Sequence, residues 1–267
     1  MSKAPVEAIG GWLKDDDPAM DRRYRRLADI GSDSLKAEHL AYFEENLDRY
    51  FNDRLIPDQG VEEILEALRD HGGRPARWID LGAGVTTLFW SIGVNAPQRV
   101  FACDLVPEAL KVLSSFKDSG RVPPCYTDAL ALMARSKAEF EAPRRAAWSY
   151  HVFDCLNAWR VPGEAEGFDL VSVIGCLGLA SDPAGYETAF RAAADNIAAG
   201  GRLVGADWIR SSMFVATEGH DNRYLSPVLT EGCAARLGLT RLQVDRVQIQ
   251  GDPYYDAVIV WAFSRGD

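Results

Sequence analysis

Two carboxylates and two glycines carry the most telling chemistry in this sequence. In Arg77-Trp78-Ile79-Asp80-Leu81-Gly82-Ala83-Gly84-Val85-Thr86-Thr87-Leu88, an apolar run ends in an acid, passes a glycine turn, and resumes with helical spacing. A strand, a tight turn and a helix N-terminus in that order present backbone N–H groups to a ligand, with Thr86 at the helix entry. Gly82 permits the turn, and Gly84 lets the backbone approach a bulky group with no Cβ in the way. The plainer alternative is a glycine turn used for geometry alone. Asp104 stands twenty residues past Gly84, closing a second apolar run, Arg99-Val100-Phe101-Ala102-Cys103. A carboxylate there suits the paired hydroxyls of a ribose.

The chemistry narrows further at Thr87, which stands where the third glycine of a dinucleotide fingerprint belongs. That disfavours NAD(P). Asp80, ahead of the first glycine, repels phosphates but tolerates an ammonium or a sulfonium. A nucleoside without phosphates fits both facts, and S-adenosylmethionine (SAM) is such a nucleoside. Leu105 then becomes a wall for the adenine.

The elements that must position these groups alternate. Hydrophobic periodicity predicts strands near 77–81, 99–103, 148–153, 168–174 and 202–207, and helices near 86–94, 107–117, 127–140 and 184–198. Asp58 caps a further helix that runs to His71 and ends at Gly72-Gly73. Such βαβα order implies a parallel sheet covered on both faces. Two β-rich runs, 240–249 and 256–263, flank Gly251-Asp252-Pro253 and predict a closing antiparallel hairpin. The expected fold is α/β: a Rossmann-like class I methyltransferase sheet of seven strands with an antiparallel final hairpin, plus an N-terminal helical lid. Residues 1–57 form the arm and lid, and 58–267 the SAM-binding domain. Within the first part, 1–20 read as a loose arm with a helix start at Asp17-Pro18. From Asp21 to Arg54 the spacing of Tyr24, Leu27, Ile30, Leu40, Phe43, Leu47, Tyr50 and Phe51 is helical. Those aromatics either pack on the domain or close over cofactor and substrate to exclude water.

Ligands of open α/β sheets bind beyond the carboxyl ends of the strands. Those ends supply Asp154 and Cys155, then Ile174-Gly175-Cys176, then Asp207-Trp208. Asp154 either accepts the adenine amino group, with the Cys155 backbone N–H on a ring nitrogen, or serves a turn. Asp207 either holds and deprotonates a substrate amine or caps the segment that follows. Trp208, Phe214, Tyr224, Tyr254 and Tyr255 either wall a pocket for a flat ring or pack as ordinary aromatics. His220 is either a solvated loop histidine or a proton acceptor.

The totals exclude several classes. The chain has 267 residues, 47% hydrophobic and 25% charged, with a formal net charge of −10. That balance disfavours nonspecific nucleic-acid binding, which needs a basic surface. No apolar run approaches the roughly 18–20 residues of a membrane span, and MSKAPVEAIG lacks a signal-peptide core, so a cytoplasmic protein is expected. Five scattered cysteines without a C-x-x-C pair read as reduced and mostly buried, and four dispersed histidines show no metal cluster.

Taken together, these motifs resemble the family of nicotinamide, phenylethanolamine and thioether methyltransferases, from about Phe43 to Phe263. The resemblance rests on the 46–51 segment, Ile79-Asp80-Leu81-Gly82-Ala83-Gly84, Asp104, Phe153-Asp154-Cys155, Cys176-Leu177, Tyr186, Gly200-Gly201, and Ala206-Asp207 followed by Ser211-Ser212. It implies SAM as methyl donor and a small nucleophile as acceptor under an N-terminal lid. Tyr50 or Phe51 would lie over the methionine end, Asp104 would hold the ribose, and Asp154 and Cys155 the adenine. Ile174 and Leu179 would line the pocket, and Asp207 would face the acceptor. Apart from the resemblance, Tyr24, Trp208, Phe214, His220 and Tyr254 are the candidate substrate contacts. The chain departs from the nicotinamide enzyme of that family, which has an acid after the Cys-Leu pair where this chain has Gly178 and a small residue after the aspartate where this chain has Trp208, and in its longer N-terminal extension. The expectation is a SAM-dependent N-methyltransferase acting on a small molecule without a metal, as monomer or homodimer, engaging neither nucleic acid nor membrane. The rivals are an O-, S- or C-methyltransferase, a SAM-binding protein without turnover, and an NAD-dependent oxidoreductase.

Overall fold

Parallel strands buried on both faces need continuous apolar runs rather than alternation, and this chain has several. Residues 23–266 are described by the computed structural model. Within them β2 (Arg77–Leu81), β3 (Arg99–Asp104), β4 (Ala147–Val152), β5 (Phe168–Ile174) and the N-terminal part of β6 (Ile197–Arg210) pair in parallel. The hairpin then closes the sheet: β8 (Tyr255–Ser264) lies antiparallel between β6 and β7 (Thr240–Gln248). The antiparallel hairpin is as the sequence predicts.

The strand count is not. The sheet has eight strands in the order β1-β4-β3-β2-β5-β6-β8-β7. The additional strand, β1 (Arg25–Arg26), pairs antiparallel with β4 through Arg25↔Val152 and Arg26↔His151. It lies in the segment read as helical. There the chain instead forms β1 and two single 3-10 turns, Leu27–Asp29 and Ser32–Ser34, before α1 (Ala37–Phe51). The apolar spacing of Tyr24, Leu27 and Ile30 mimics a helix, but Gly31-Ser32-Asp33-Ser34 favours local turns over helix propagation. The expected arm and its helix start at Asp17 lie outside the described residues.

Two apolar cores cover the sheet. One lies under α1, α2 (Val61–His71), α3 (Thr87–Trp90), α4 (Pro107–Asp118), α5 (Pro124–Leu132) and α6 (Lys137–Arg145). The other lies under α7 (Pro183–Ala194) and α9 (Pro227–Arg236), and α8 (Ser212–Glu218) joins β6 to that last helix. Several boundaries differ from expectation for identifiable reasons. The 127–140 helix is two, because Ala134 takes φ +50° and Ser136 opens a new capping box with Glu139. Asp58 caps nothing: it has φ +61°, and Gly60 at φ +82° is the N-cap of α2. A side chain at Gly60 would collide with Val258. The 184–198 helix stops at Ala194, and β6 starts at Ile197, earlier than expected, with an irregular pairing that passes Gly200.

In the second core Gly205 of β6 lies against the indole of Trp261, which is fully buried. A Cβ at residue 205 would overlap that ring, and a buried indole has little room to move. Gly205→Ala is expected to destabilise the protein by about 2 kcal/mol or more, as overpacked cores do. The urea midpoint, measured with an unchanged m-value, checks this.

Candidate active site

Strand order reverses at β2 and β5: β3 and β4 lie to one side, β6, β8 and β7 to the other. A crevice forms at such a reversal, beyond the carboxyl ends of the strands. The glycine turn lies there. Gly82 has φ +66°, and a Cβ built on it would come within 2.5 Å of the Cys176 Cβ, just past β5. Gly84 has φ +48°, yet a Cβ there would meet no atom within 4 Å. One glycine is required by packing against protein; the other borders open space.

The turn is braced from below. Asp80 is 1% exposed and accepts hydrogen bonds from the hydroxyls of Thr87 (2.6 Å) and Ser172 (2.5 Å). Ser172 in turn accepts the Trp78 indole N–H at 2.8 Å. Burial pushes the Asp80 carboxyl up to about 6, against those two hydroxyls. Thr86 is likewise committed to the protein: its hydroxyl donates to the Ala83 carbonyl and accepts from the Trp90 indole. Both residues are hydrogen-bonded within the protein, Asp80 buried and Thr86 half-buried.

Asp104 lies beside it. Its carboxylate accepts the backbone N–H of Gly84 at 2.7 Å and of Val106 at 2.9 Å, so it links the turn to the start of α4. Burial raises its pKa, opposed by the N–H groups of Val106, Gly84 and Leu105. Each carboxylate oxygen has two lone pairs, so the same group can still accept from a diol. Further along the edge, Asp154 accepts the Leu156 N–H (3.0 Å) and the Asn157 side-chain amide (2.8 Å), which is the turn geometry weighed for it. Cys155 is buried, its sulfur 3.4 Å from that of Cys176, and all five cysteines are free thiols. Leu105 is half-buried, Ile174 buried and Leu179 exposed.

Other expected site residues divide. Phe51 is buried against Phe89 and Tyr126, at centroid distances of 5.1 and 5.9 Å, and so belongs to the core; Tyr50 beside it is exposed. Tyr24 bonds the His151 ring nitrogen at 2.9 Å and stacks on Phe153, at the β4 edge. Four strand spacings separate β4 from β6, about 19 Å, so Tyr24 does not join the aromatics beside β6. Those do gather. Phe214 lies 5.3 Å from Tyr254 and 5.5 Å from Tyr255, and Trp208 lies 6.4 Å from Tyr255. The Trp208 ring also covers Gly175, while its N–H donates to the Gln59 carbonyl.

Asp207 is not on an open wall. It is 1% exposed and accepts the Gly178 N–H (2.7 Å), the Tyr186 hydroxyl (3.2 Å) and the Trp261 indole (3.3 Å). Burial again raises the carboxyl to about 6. In this geometry Asp207 fixes the Leu177–Leu179 turn from below. His220 holds the same turn through the Gly178 carbonyl at 3.1 Å. Sequence reasoning missed Asn222, which is buried and bonds the carbonyls of Gly178 and Trp208 and the Arg210 N–H. A buried asparagine in a loop has no sequence signal of its own. A cavity of about 670 Å³ opens elsewhere, at the β4 edge, lined in part by Arg26, Lys111, Trp148 and Tyr150; none of Gly82, Gly84, Asp104 or Asp154 borders it.

No family model matches the chain, and no curated protein matches it in sequence. Solved structures do. The N-methyltransferase NodS from Bradyrhizobium japonicum WM9, in complex with S-adenosyl-L-homocysteine, superposes with a TM-score of 0.53 at 17% identity, over 86% of this chain and 99% of that one. The complex of the Haloferax volcanii Trm112 methyltransferase activator with a methyltransferase gives 0.58 at 14%, over 88% and 100%. Haemonchus contortus phosphoethanolamine N-methyltransferase 2, in complex with S-adenosyl-L-methionine, gives 0.54 at 14%, over 85% and 57%. The chain has a methyltransferase fold. Among the described residues, no helix is long and apolar enough to cross a membrane, and no group of three or more His, Cys, Asp or Glu is placed to hold a metal.

The two buried carboxyls have a pH consequence. Their folded pKa values, about 6, lie above the ordinary carboxylate value of 3.8, so the native state holds extra protons between about pH 4 and 6. Their stabilising contribution is complete below about pH 4 and is lost as pH rises through 6. Asp80→Asn keeps an acceptor for Thr87 and gains a donor for Ser172. Relative to the unmutated protein, it is expected to gain roughly 2–3 kcal/mol between pH 4 and pH 7. Urea denaturation at the two pH values measures this; a pH-independent difference would contradict the assignment.

Proposed function

We propose that this protein is an enzyme that transfers a methyl group from SAM to a small-molecule nucleophile, an amine or ring nitrogen. The observation that carries the reading is Gly84: a left-handed glycine facing open space, its N–H held by a strand-end carboxylate, at the strand-order reversal of a methyltransferase fold. Space beside a backbone, with the Asp104 carboxylate on the Gly84 N–H and no third glycine for phosphates, suits a nucleoside sulfonium. The residues present therefore fit the cofactor. Gly82–Gly84 would border its methionine portion, Asp104 its ribose hydroxyls, and Leu105, Asp154 and Cys155 its adenine.

Bound SAM supplies an electrophilic methyl carbon. The protein's share of such a displacement is alignment and the exclusion of water. In this reading residues 1–57 act as arm and lid, with α1 as the described part of the lid, and 58–267 form the SAM-binding domain. Trp208, Phe214 and Tyr254 wall the acceptor. Asp207 becomes a positioning residue: with three donors and almost no exposed surface, it holds the Leu177–Leu179 turn rather than taking a proton from the acceptor.

Calorimetric titration tests the cofactor. S-adenosylhomocysteine is expected to bind and NAD to give no heat; binding of NAD alone would overturn the reading. Gly84→Ala provides the local test. Its methyl meets no protein atom, so stability should fall only by the backbone strain of a left-handed alanine, about 1–2 kcal/mol. Affinity for the nucleoside should fall at least tenfold. Unchanged affinity would remove Gly84 from the site.

A further inference from the structure

Beside the aromatic wall sits a cation the methyl-transfer chemistry does not require. Arg210 ends β6 opposite Tyr255, across a break in the β6–β8 register. Its guanidinium lies over the Phe214 ring, 4.8 Å from the centroid, and one of its nitrogens donates weakly to the His220 carbonyl at 3.4 Å. The side chain is half-buried, and among the described residues no carboxylate forms an ion pair with it. Among the described residues Arg135 and Arg202 also lack a carboxylate partner, but Arg135 donates to the carbonyls of Val94 and Gly93 and to Asn95, and Arg202 to those of Gly200 and Gly201. Arg223, in the neighbouring loop, is bonded to Asp221 at 2.8 Å, and Arg236 to Glu187 at 2.9 Å. Arg210 has only that one long bond and the ring face, and burial lowers its pKa, opposed by Tyr255 and Glu218.

Its surroundings define what would compensate it. Phe214, Tyr254 and Tyr255 meet edge to face beside it, and Trp208 touches Tyr255 from the same strand. From α1, Tyr42 and Tyr50 come near enough to Tyr255 for the phenols to disfavour one another's ionisation. The nearby carboxylates, Glu218 and Asp252, act on this cluster from beyond ion-pairing distance. A single guanidinium in that weakly negative field suits one carboxylate, held by two parallel N–H bonds, better than a doubly charged phosphate. The aromatic edges suit a flat ring.

We infer that Arg210 is a specificity-determining residue, and that the acceptor is a planar aromatic amine carrying a carboxylate which Arg210 binds. This rests on the methyl-transfer reading for the word acceptor, but the anion anchor is measurable apart from it. The probes are 3-aminobenzoate and its neutral isostere 3-aminobenzamide, titrated into the full chain with and without S-adenosylhomocysteine. The acid is expected to bind at least tenfold more tightly than the amide, in one or both conditions. Arg210→Gln should erase that preference, and Arg210→Lys should retain part of it, since a point charge attracts the carboxylate but does not grip it with a fork. Arg210→Met, which keeps the stem packed on Phe214, serves as a second neutral variant should the glutamine form melt early. Equal affinities in the unmutated protein, binding of neither probe, or a preference that survives both neutral variants would each overturn the inference. Failure of S-adenosylhomocysteine to bind would instead remove the cofactor reading, and the titrations without nucleoside would still decide the anchor.

Discussion

The site depends on one buried carboxylate. Asp80 joins the end of β2 to the first residue of α3 through Thr87, and to β5 through Ser172. A charge in that position is expensive in a low-dielectric interior, and its raised pKa records the cost. What the cost secures is geometry. With both oxygens satisfied by short hydroxyl bonds, the chain leaves β2 in one direction only. Gly82 is pressed on Cys176, and Gly84 is left facing open space. A neutral residue of the same volume would spare the desolvation but would leave the turn, the helix start and the neighbouring strand without a common fixed point. Asp104 adds the second tie by holding the Gly84 N–H. The turn is therefore organised before any ligand arrives, which lowers the ordering that binding must impose.

The carboxyl-terminal part of β6 does two jobs because its side chains alternate. Asp207 turns to the α7 and α9 side, where Tyr186 and Trp261 enclose it. Trp208 turns to the α1 side and joins the other core, next to Tyr255. One strand end thus braces a turn from beneath and furnishes an aromatic wall above. Asn222 locks this arrangement by bonding the Gly178 carbonyl, the Trp208 carbonyl and the Arg210 N–H together. A shift of β6 by one residue would exchange the two faces and lose both functions.

Much of this was legible in the sequence, and the failures are instructive. Most of the parallel strands and the closing hairpin announce themselves because strands buried on both faces must be largely apolar, and because Gly251-Asp252-Pro253 can form little but a turn. The glycine turn was legible for a similar reason, since few side chains tolerate its dihedral angles. Asp207 was expected to end its strand, but β6 continues to Arg210, and position along a strand does not reveal which of two faces a carboxylate meets, or whether it is enclosed. Phe51 shows the same limit: an aromatic pair at a helix end does not say which ring packs inward. Arg210 was passed over because an arginine at the end of a strand looks like any solvated charge. What distinguishes it is a half-buried place over the Phe214 ring with no carboxylate ion pair among the described residues, and that is a property of three-dimensional neighbours.

The N-terminal segment shows how far a periodicity can mislead. Tyr24, Leu27 and Ile30 have helical spacing, yet they cover the outer edge of β4 through β1 and a 3-10 turn. An exposed sheet edge is an aggregation hazard, and a short antiparallel strand covers it cheaply. A helix there would leave the β4 edge without this pairing. The aromatic residues nearest the proposed acceptor wall come later, from α1, where Tyr42 and Tyr50 approach Tyr255. The single segment read as a lid divides its work accordingly. Its first part pairs with the sheet edge, and its helix brings Tyr42 and Tyr50 near Tyr255.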